Sequence, residues 1–146
     1  MPTRRLSLAL GLALAIGATA TTAADRPYTE GTVWTMTLIK VAPGQFDAYM
    51  KDLLPIRKKL DDEAKKEGLL VSSRVLSGQS SGHDDFDLVI LEEYKNWAAF
   101  DGITAKYDAI MEKLGESSEK ADQQVVKRGE VRTILGEKTF QEIIPK

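Results

Sequence analysis

Apolar positions change their period repeatedly along this chain, and each change marks an element. From Val33 to Val41, VWTMTLIKV, they alternate: Trp34, Met36 and Leu38 fall on one side, and Val33, Thr35, Thr37 and Ile39 on the other, the pattern of a β-strand. Pro43-Gly44 breaks it. Phe46, Tyr49, Met50, Leu53, Ile56, Leu60 and Ala64 then recur at helical spacing, so Gln45 to Glu67 is predicted to be a helix stopped by Gly68. Pro55 lies inside it, and its ring collides with a carbonyl one turn back, which predicts a kink near Asp52. Leu69 to Leu76 reads as a second strand and Phe86 to Tyr94 as a third, joined by the polar, glycine-containing stretch from Ser77 to Asp85. Asn96 is placed to cap a second helix carrying Trp97, Phe100, Ile103, Tyr107, Ile110, Met111 and Leu114 up to Gly115. A more polar helix follows from Ser117, anchored by Ala121, Val125 and Val126 and running to Gly136, with Gly129 as the alternative stop. Lys138 to Ile144 alternates as a fourth strand.

The order β-α-β-β-α-(α)-β predicts an α+β, ferredoxin-like domain over residues 33–144, with its strands in a single four-stranded antiparallel sheet. Two amphipathic helices cover one face of such a sheet. The first and third strands are apolar on both sides: Trp34, Met36 and Leu38 against Val33 and Ile39, and Val89 and Leu91 against Phe86, Leu88 and Ile90. A second copy of the chain, related by a two-fold axis, is the simplest cover for the remaining face.

The first 24 residues, MPTRRLSLALGLALAIGATATTAA, alter the picture of where this domain works. Arg4 and Arg5 precede an apolar run that is shorter than the roughly 20 residues a spanning helix needs, and small residues precede Asp25, so residues 1–24 read as a cleaved signal peptide. The expected location is periplasmic or secreted, with no stable membrane anchor after cleavage and a flexible lead over residues 25–32. Of 20 basic residues the signal takes two arginines and none of the 22 acids, which leaves a net charge of −4 and no basic stripe to hold nucleic acid. The absence of cysteine excludes disulfides, thiolate chemistry and iron–sulfur clusters.

KVAPGQFDAYM at Lys40 to Met50 and LVILEEYKNWAAFD at Leu88 to Asp101, set in this element order, resemble the dimeric α/β-barrel superfamily, which includes antibiotic-biosynthesis-monooxygenase-like and NIPSNAP-like domains. The resemblance covers Val33 to Ile144. It implies sheets of two subunits packed into a barrel, with pockets between sheet and helices. No single activity follows, because the superfamily hosts cofactor-free oxygenases, haem-degrading enzymes and dismutases. Haem-degrading members combine a first-strand asparagine, a tryptophan before the second helix and a histidine within it. Here Trp97 matches, but the first strand has no asparagine and Lys106 and Tyr107 stand where the histidine is needed. Haem is therefore not expected, nor any other cofactor, and no catalytic residue carries over.

His83, the only histidine, lies among serines, glycines and aspartates, where a turn accounts for it; without a second histidine it is not read as a metal site. Glu92 and Glu93 end the third strand, so one faces inward, with Arg74 on the adjacent strand as its expected partner. Arg57, Lys58 and Lys59, followed by Asp61, Asp62 and Glu63, read as a solvated, salt-bridged helix face. Trp34, Tyr49, Arg74, Glu92, Tyr94, Trp97 and Tyr107 are the candidates for lining a pocket. The expected protein is an exported homodimer of unassigned activity that binds a small apolar or aromatic molecule. The alternatives are a cofactor-independent monooxygenase-like enzyme and a structural dimer without a pocket.

Overall fold

A computed structural model describes residues 26–146 apart from 80 and 83. The segment expected to be a signal peptide, residues 1–24, and His83, whose turn reading was the expectation, thus lie outside the described residues. Strand β1 (Tyr28–Val41) is followed by α1 (Phe46–Lys66), β2 (Ser72–Ser77), β3 (Leu88–Tyr94), α2 (Ile103–Lys113), α3 (Ser118–Gly129) and β4 (Arg132–Pro145). All pairings are antiparallel and the strands lie in the order β2-β3-β1-β4. This is the ferredoxin-like arrangement that the element order predicts. Among the described residues no helix is long and apolar enough to cross a membrane.

Several boundaries differ from expectation for local reasons. Strand β1 begins at Tyr28, so Tyr28, Thr29 and Glu30 of the lead expected to be flexible pair with the end of β4. Helix α1 runs on through Pro55. Strand β2 starts late because the amides of Leu69 and Leu70 both donate to the Ala64 carbonyl, closing α1 and turning these side chains into the core. The second helix is split: Trp97–Phe100 forms a 3-10 turn, and Gly102, at φ 63°, opens α2 in the left-handed conformation that favours glycine. Asn96 therefore has no α-helix to cap, and its side chain makes no capping bond. Helix α3 stops at Gly129 instead of Gly136, which sits within β4 opposite Leu38. Val125 and Val126 do not anchor α3, since both are exposed; an ion pair from Arg128 to Asp52 of α1, at 2.7 Å, ties the helix down.

Side-chain alternation sorts the sheet into two faces. Ile39, Val41, Leu88, Ile90 and Tyr94 meet the helices in two apolar clusters, one with Tyr49 and Leu53 of α1 and one with Ala64, Leu69, Leu70 and Ile110, and Val33 is buried on the same face. Trp34, Met36, Leu38, Val89 and Leu91 belong to neither cluster and lie on the opposite face, beside the more exposed Leu76 and Phe140. Among the described residues no helix packs onto that face. The sheet is thus apolar on both sides and covered on one.

The long β1–β4 ribbon contains two register shifts. In the first, Gly31 and Thr32 together face Glu142, a β-bulge whose extra amide needs a partner. The Glu142 carboxylate supplies it, accepting from the Thr32 amide and hydroxyl, both at 3.1 Å, while the Thr32 hydroxyl accepts from the Trp34 indole at 3.0 Å. A Cβ on Gly31 would lie 2.3 Å from that carboxylate. Gly31→Ala is accordingly expected to displace Glu142 and cost about 1 kcal/mol, the worth of the bonds lost. In a double-mutant cycle under urea denaturation the penalty should largely disappear in a Glu142→Ala background; an undiminished penalty would place its cause elsewhere.

Candidate functional site

Between the two apolar clusters the helix side of the sheet turns polar. The alternation that buries Leu88, Ile90 and Tyr94 also places Glu92 on this side, opposite Thr35 of β1. Arg57 and Asp61, one helical turn apart on α1, reach the same level. The Arg57 guanidinium donates from Nε to Asp61 at 3.2 Å and from Nη2 to both Glu92 at 2.5 Å and Ser73 at 3.1 Å. The other Glu92 oxygen accepts from the Thr35 hydroxyl at 3.1 Å and the Tyr94 hydroxyl at 3.2 Å; the Tyr107 hydroxyl lies 3.2 Å from that of Tyr94. Asp61 is buried, and Arg57 is 16% exposed. One guanidinium thus bridges two carboxylates, and five elements, α1, α2, β1, β2 and β3, meet through it, the Glu92 carboxylate and the two phenols.

The surroundings bias the charges of this network. Burial, the largest single influence on Arg57, works to lower its pKa, but Glu92 and Asp61 together outweigh it and leave the guanidinium more firmly protonated than usual. Burial also pushes the Tyr94 phenol far above the ordinary tyrosine range, with the Tyr107 hydroxyl and the Glu92 carboxylate adding to the effect. Tyr107 is raised chiefly by burial as well. Both phenols are therefore held neutral as hydrogen-bonding groups.

A cleft of about 240 Å³ opens onto the network, lined by Thr35, Thr37, Glu92, Glu137, Lys138 and Thr139. The register explains its composition: Thr139 and Glu137 of β4 stand opposite Thr35 and Thr37 of β1 and so share the helix side, whereas Lys138 stands opposite Met36 and belongs to the other face. A larger cleft of about 760 Å³ lies where the end of β1 meets the start of β4, near Lys40, Asp87 and Arg132. Its central charges satisfy one another, for Asp87 pairs with Lys40 at 3.3 Å and accepts from the Val41 amide at 2.9 Å. The smaller cleft has the more demanding chemistry.

The seven residues expected to share a pocket fall into separate places. Glu92, Tyr94 and Tyr107 come together as described. Tyr49 is buried in the apolar cluster nearer the start of α1, its hydroxyl accepting from Arg132 at 3.0 Å. Trp34 and Arg74 lie on the uncovered face, the guanidinium 5.9 Å from the indole ring. Trp97 is 54% exposed and reaches Tyr94 only through Phe100, which lies 6.0 Å from Trp97 and 4.8 Å from Tyr94. No aromatic-walled pocket forms from this set. Arg74 cannot serve Glu92, because register opposite Leu91 turns it to the other face; the partner is Arg57. The solvated-face reading of Arg57 is corrected likewise, although Lys58 does pair with Asp62 at an exposed site. Glu93, as alternation requires, faces away from Glu92 and accepts from Ser72 at 2.6 Å.

No protein-family model and no curated protein matches the chain. A solved structure of a dimeric ferredoxin-like protein from an uncultured marine organism is similar to it, with 16% sequence identity and a TM-score of 0.48 over 80% of this chain and 96% of that one.

Arg57→Met leaves two mostly buried carboxylates without their cation and is expected to cost about 3–5 kcal/mol by chemical denaturation. Lys58→Met, beside it in sequence, should change stability little. Equal effects of the two would contradict the bridging role. The neutral phenols give a second signature: the stability they confer is complete below the free tyrosine pKa of about 10 and is lost as pH rises above it toward their higher folded values. Tyr94 and Tyr107 should thus stay un-ionised in native protein beyond pH ~10. A phenolate absorbance titration of Tyr94→Phe and Tyr107→Phe against the parent would show whether they do.

Proposed function

We propose that this chain is the subunit of an exported homodimer that binds a small molecule in the helix-side cleft beside Glu92. The observation that carries the dimer is the uncovered sheet face, where Trp34, Met36, Leu38, Val89 and Leu91 form a continuous apolar surface flanked by Leu76 and Phe140. Leaving such a face in water forgoes roughly 25 cal/mol per Å² of apolar surface. A two-fold partner brings the same face to meet it. Arg74 and Glu93 give that face both signs of charge, which two copies related by a two-fold axis can pair.

The cleft supports the binding part of this reading. It is concave, open to solvent, and lined in part by a carboxylate positioned by a largely buried network that spans five elements. The apolar or aromatic ligand suggested by the sequence loses its main support, because the tryptophans expected to grip it lie elsewhere. Export rests on the N-terminal pattern of two arginines, an apolar run and small residues, and sequencing the N-terminus of the protein recovered from its native host tests it.

Leu91→Glu or Met36→Glu places a charge in the middle of the uncovered face. Each is expected to convert a dimer into a monomer in sedimentation equilibrium while leaving the circular dichroism of the fold intact. A wild-type protein that sediments as a monomer at micromolar concentration would overturn the dimer.

A further inference from the structure

From the charge balance and the hydroxyl lining of the same cleft we infer that its ligand is a small organic cation, bound through a protonated amine. The inference rests on the cleft being the binding site and goes on to name what it selects.

Three features lead there. First, the network behind the cleft contains one cation and two anions, since Arg57 is shared by Asp61 and Glu92. A buried network with an excess negative charge is stabilised by a further positive group. Second, the excess is accessible at the cleft: Glu92 is part of its lining, and 21% of that side chain remains exposed. Glu137 adds a second carboxylate on the same side of the sheet, with no ion pair to satisfy it among the described residues. Lys138, the cation of the lining, springs from the opposite face by register. Third, the remaining lining residues are Thr35, Thr37 and Thr139, whose hydroxyls can accept from an ammonium. Thr35 already donates to Glu92, which leaves its oxygen lone pairs for accepting. An ammonium presents three donors and no acceptor, and this lining offers carboxylate and hydroxyl oxygens to receive them. An anion would face two carboxylates, Glu92 and Glu137, against one lysine, Lys138, in the lining. A neutral molecule would leave the charge excess in place.

Benzylamine, benzyl alcohol and benzoate are close in size and differ mainly in charge. Titrated into the full-length processed protein, with backbone amide shifts of Thr35, Thr37 and Thr139 as the readout, benzylamine is expected to bind at least about tenfold more tightly than benzyl alcohol, the worth of a charge-assisted bond. Benzoate is expected not to perturb these amides. Glu92→Gln should abolish the preference for the amine. Because that change also disturbs Arg57, Glu137→Gln provides the second test: it alters an exposed position and should weaken benzylamine severalfold with the thermal midpoint unchanged. Equal binding of amine and alcohol would overturn the cation while leaving a small-molecule cleft. Perturbation by none of the three at millimolar concentration would overturn both readings.

Discussion

The two apolar clusters that hold this fold together lie on one side of its sheet. Helices α1 and α2 bury Ile39, Leu88, Ile90 and Tyr94, and among the described residues no further apolar helix covers Trp34, Met36, Leu38, Val89 and Leu91. Helix α3 does not fill that role, for its valines face water and its attachment is an ion pair to α1. The architecture is therefore two-sided in energy: one face is stabilised by packing within the chain and the other is apolar without a helix over it among the described residues. The proposed association surface and the proposed ligand cleft thus lie on opposite sides of the sheet.

Arg57 links packing to chemistry on the covered side. It occupies the gap between the two apolar clusters, where a straight continuation of the hydrophobic seam would have placed another aliphatic residue. A guanidinium can be held there because Glu92, Asp61 and Ser73 supply oxygens around it, and its planar fork reaches several of them at once. The arrangement fixes α1 over β3 at a definite register. It also leaves an oxygen of Glu92 to be positioned by Thr35 and Tyr94, so the residue that faces the cleft is rigid because the helix is anchored. Such a carboxylate loses little freedom when a ligand meets it, which favours selective binding.

Sequence reasoning found the inward Glu92 but gave it the wrong partner. The signal it used, adjacency of strands, is blind to face: Arg74 is one strand away, yet its position opposite Leu91 turns it outward. Arg57 was hidden because a helix of mixed charge looks the same in sequence whether a given i,i+4 pair is exposed, as Lys58–Asp62 is, or buried, as Arg57–Asp61 is. One clue was present. Arg57 and Asp61 flank the apolar stripe formed by Leu53, Ile56, Leu60 and Ala64, whereas Lys58 and Asp62 lie further round the helix. The aromatic pocket failed for a related reason, since side-chain type predicts burial without saying in which cluster.

Alternating and helical periods were sufficient, with no tertiary information, to determine the element order, the antiparallel sheet and the two-sided apolar character of β1 and β3, because these depend on local backbone geometry and on side-chain direction along one element. Tertiary structure alone decided which polar groups meet. Whether Arg57 reaches Glu92, whether Thr139 stands beside Thr35 and whether Trp34 lies across the sheet from Tyr94 depend on register and on the height at which α1 crosses the strands. Those quantities are set by packing between segments far apart in the chain, and no period within a single segment encodes them.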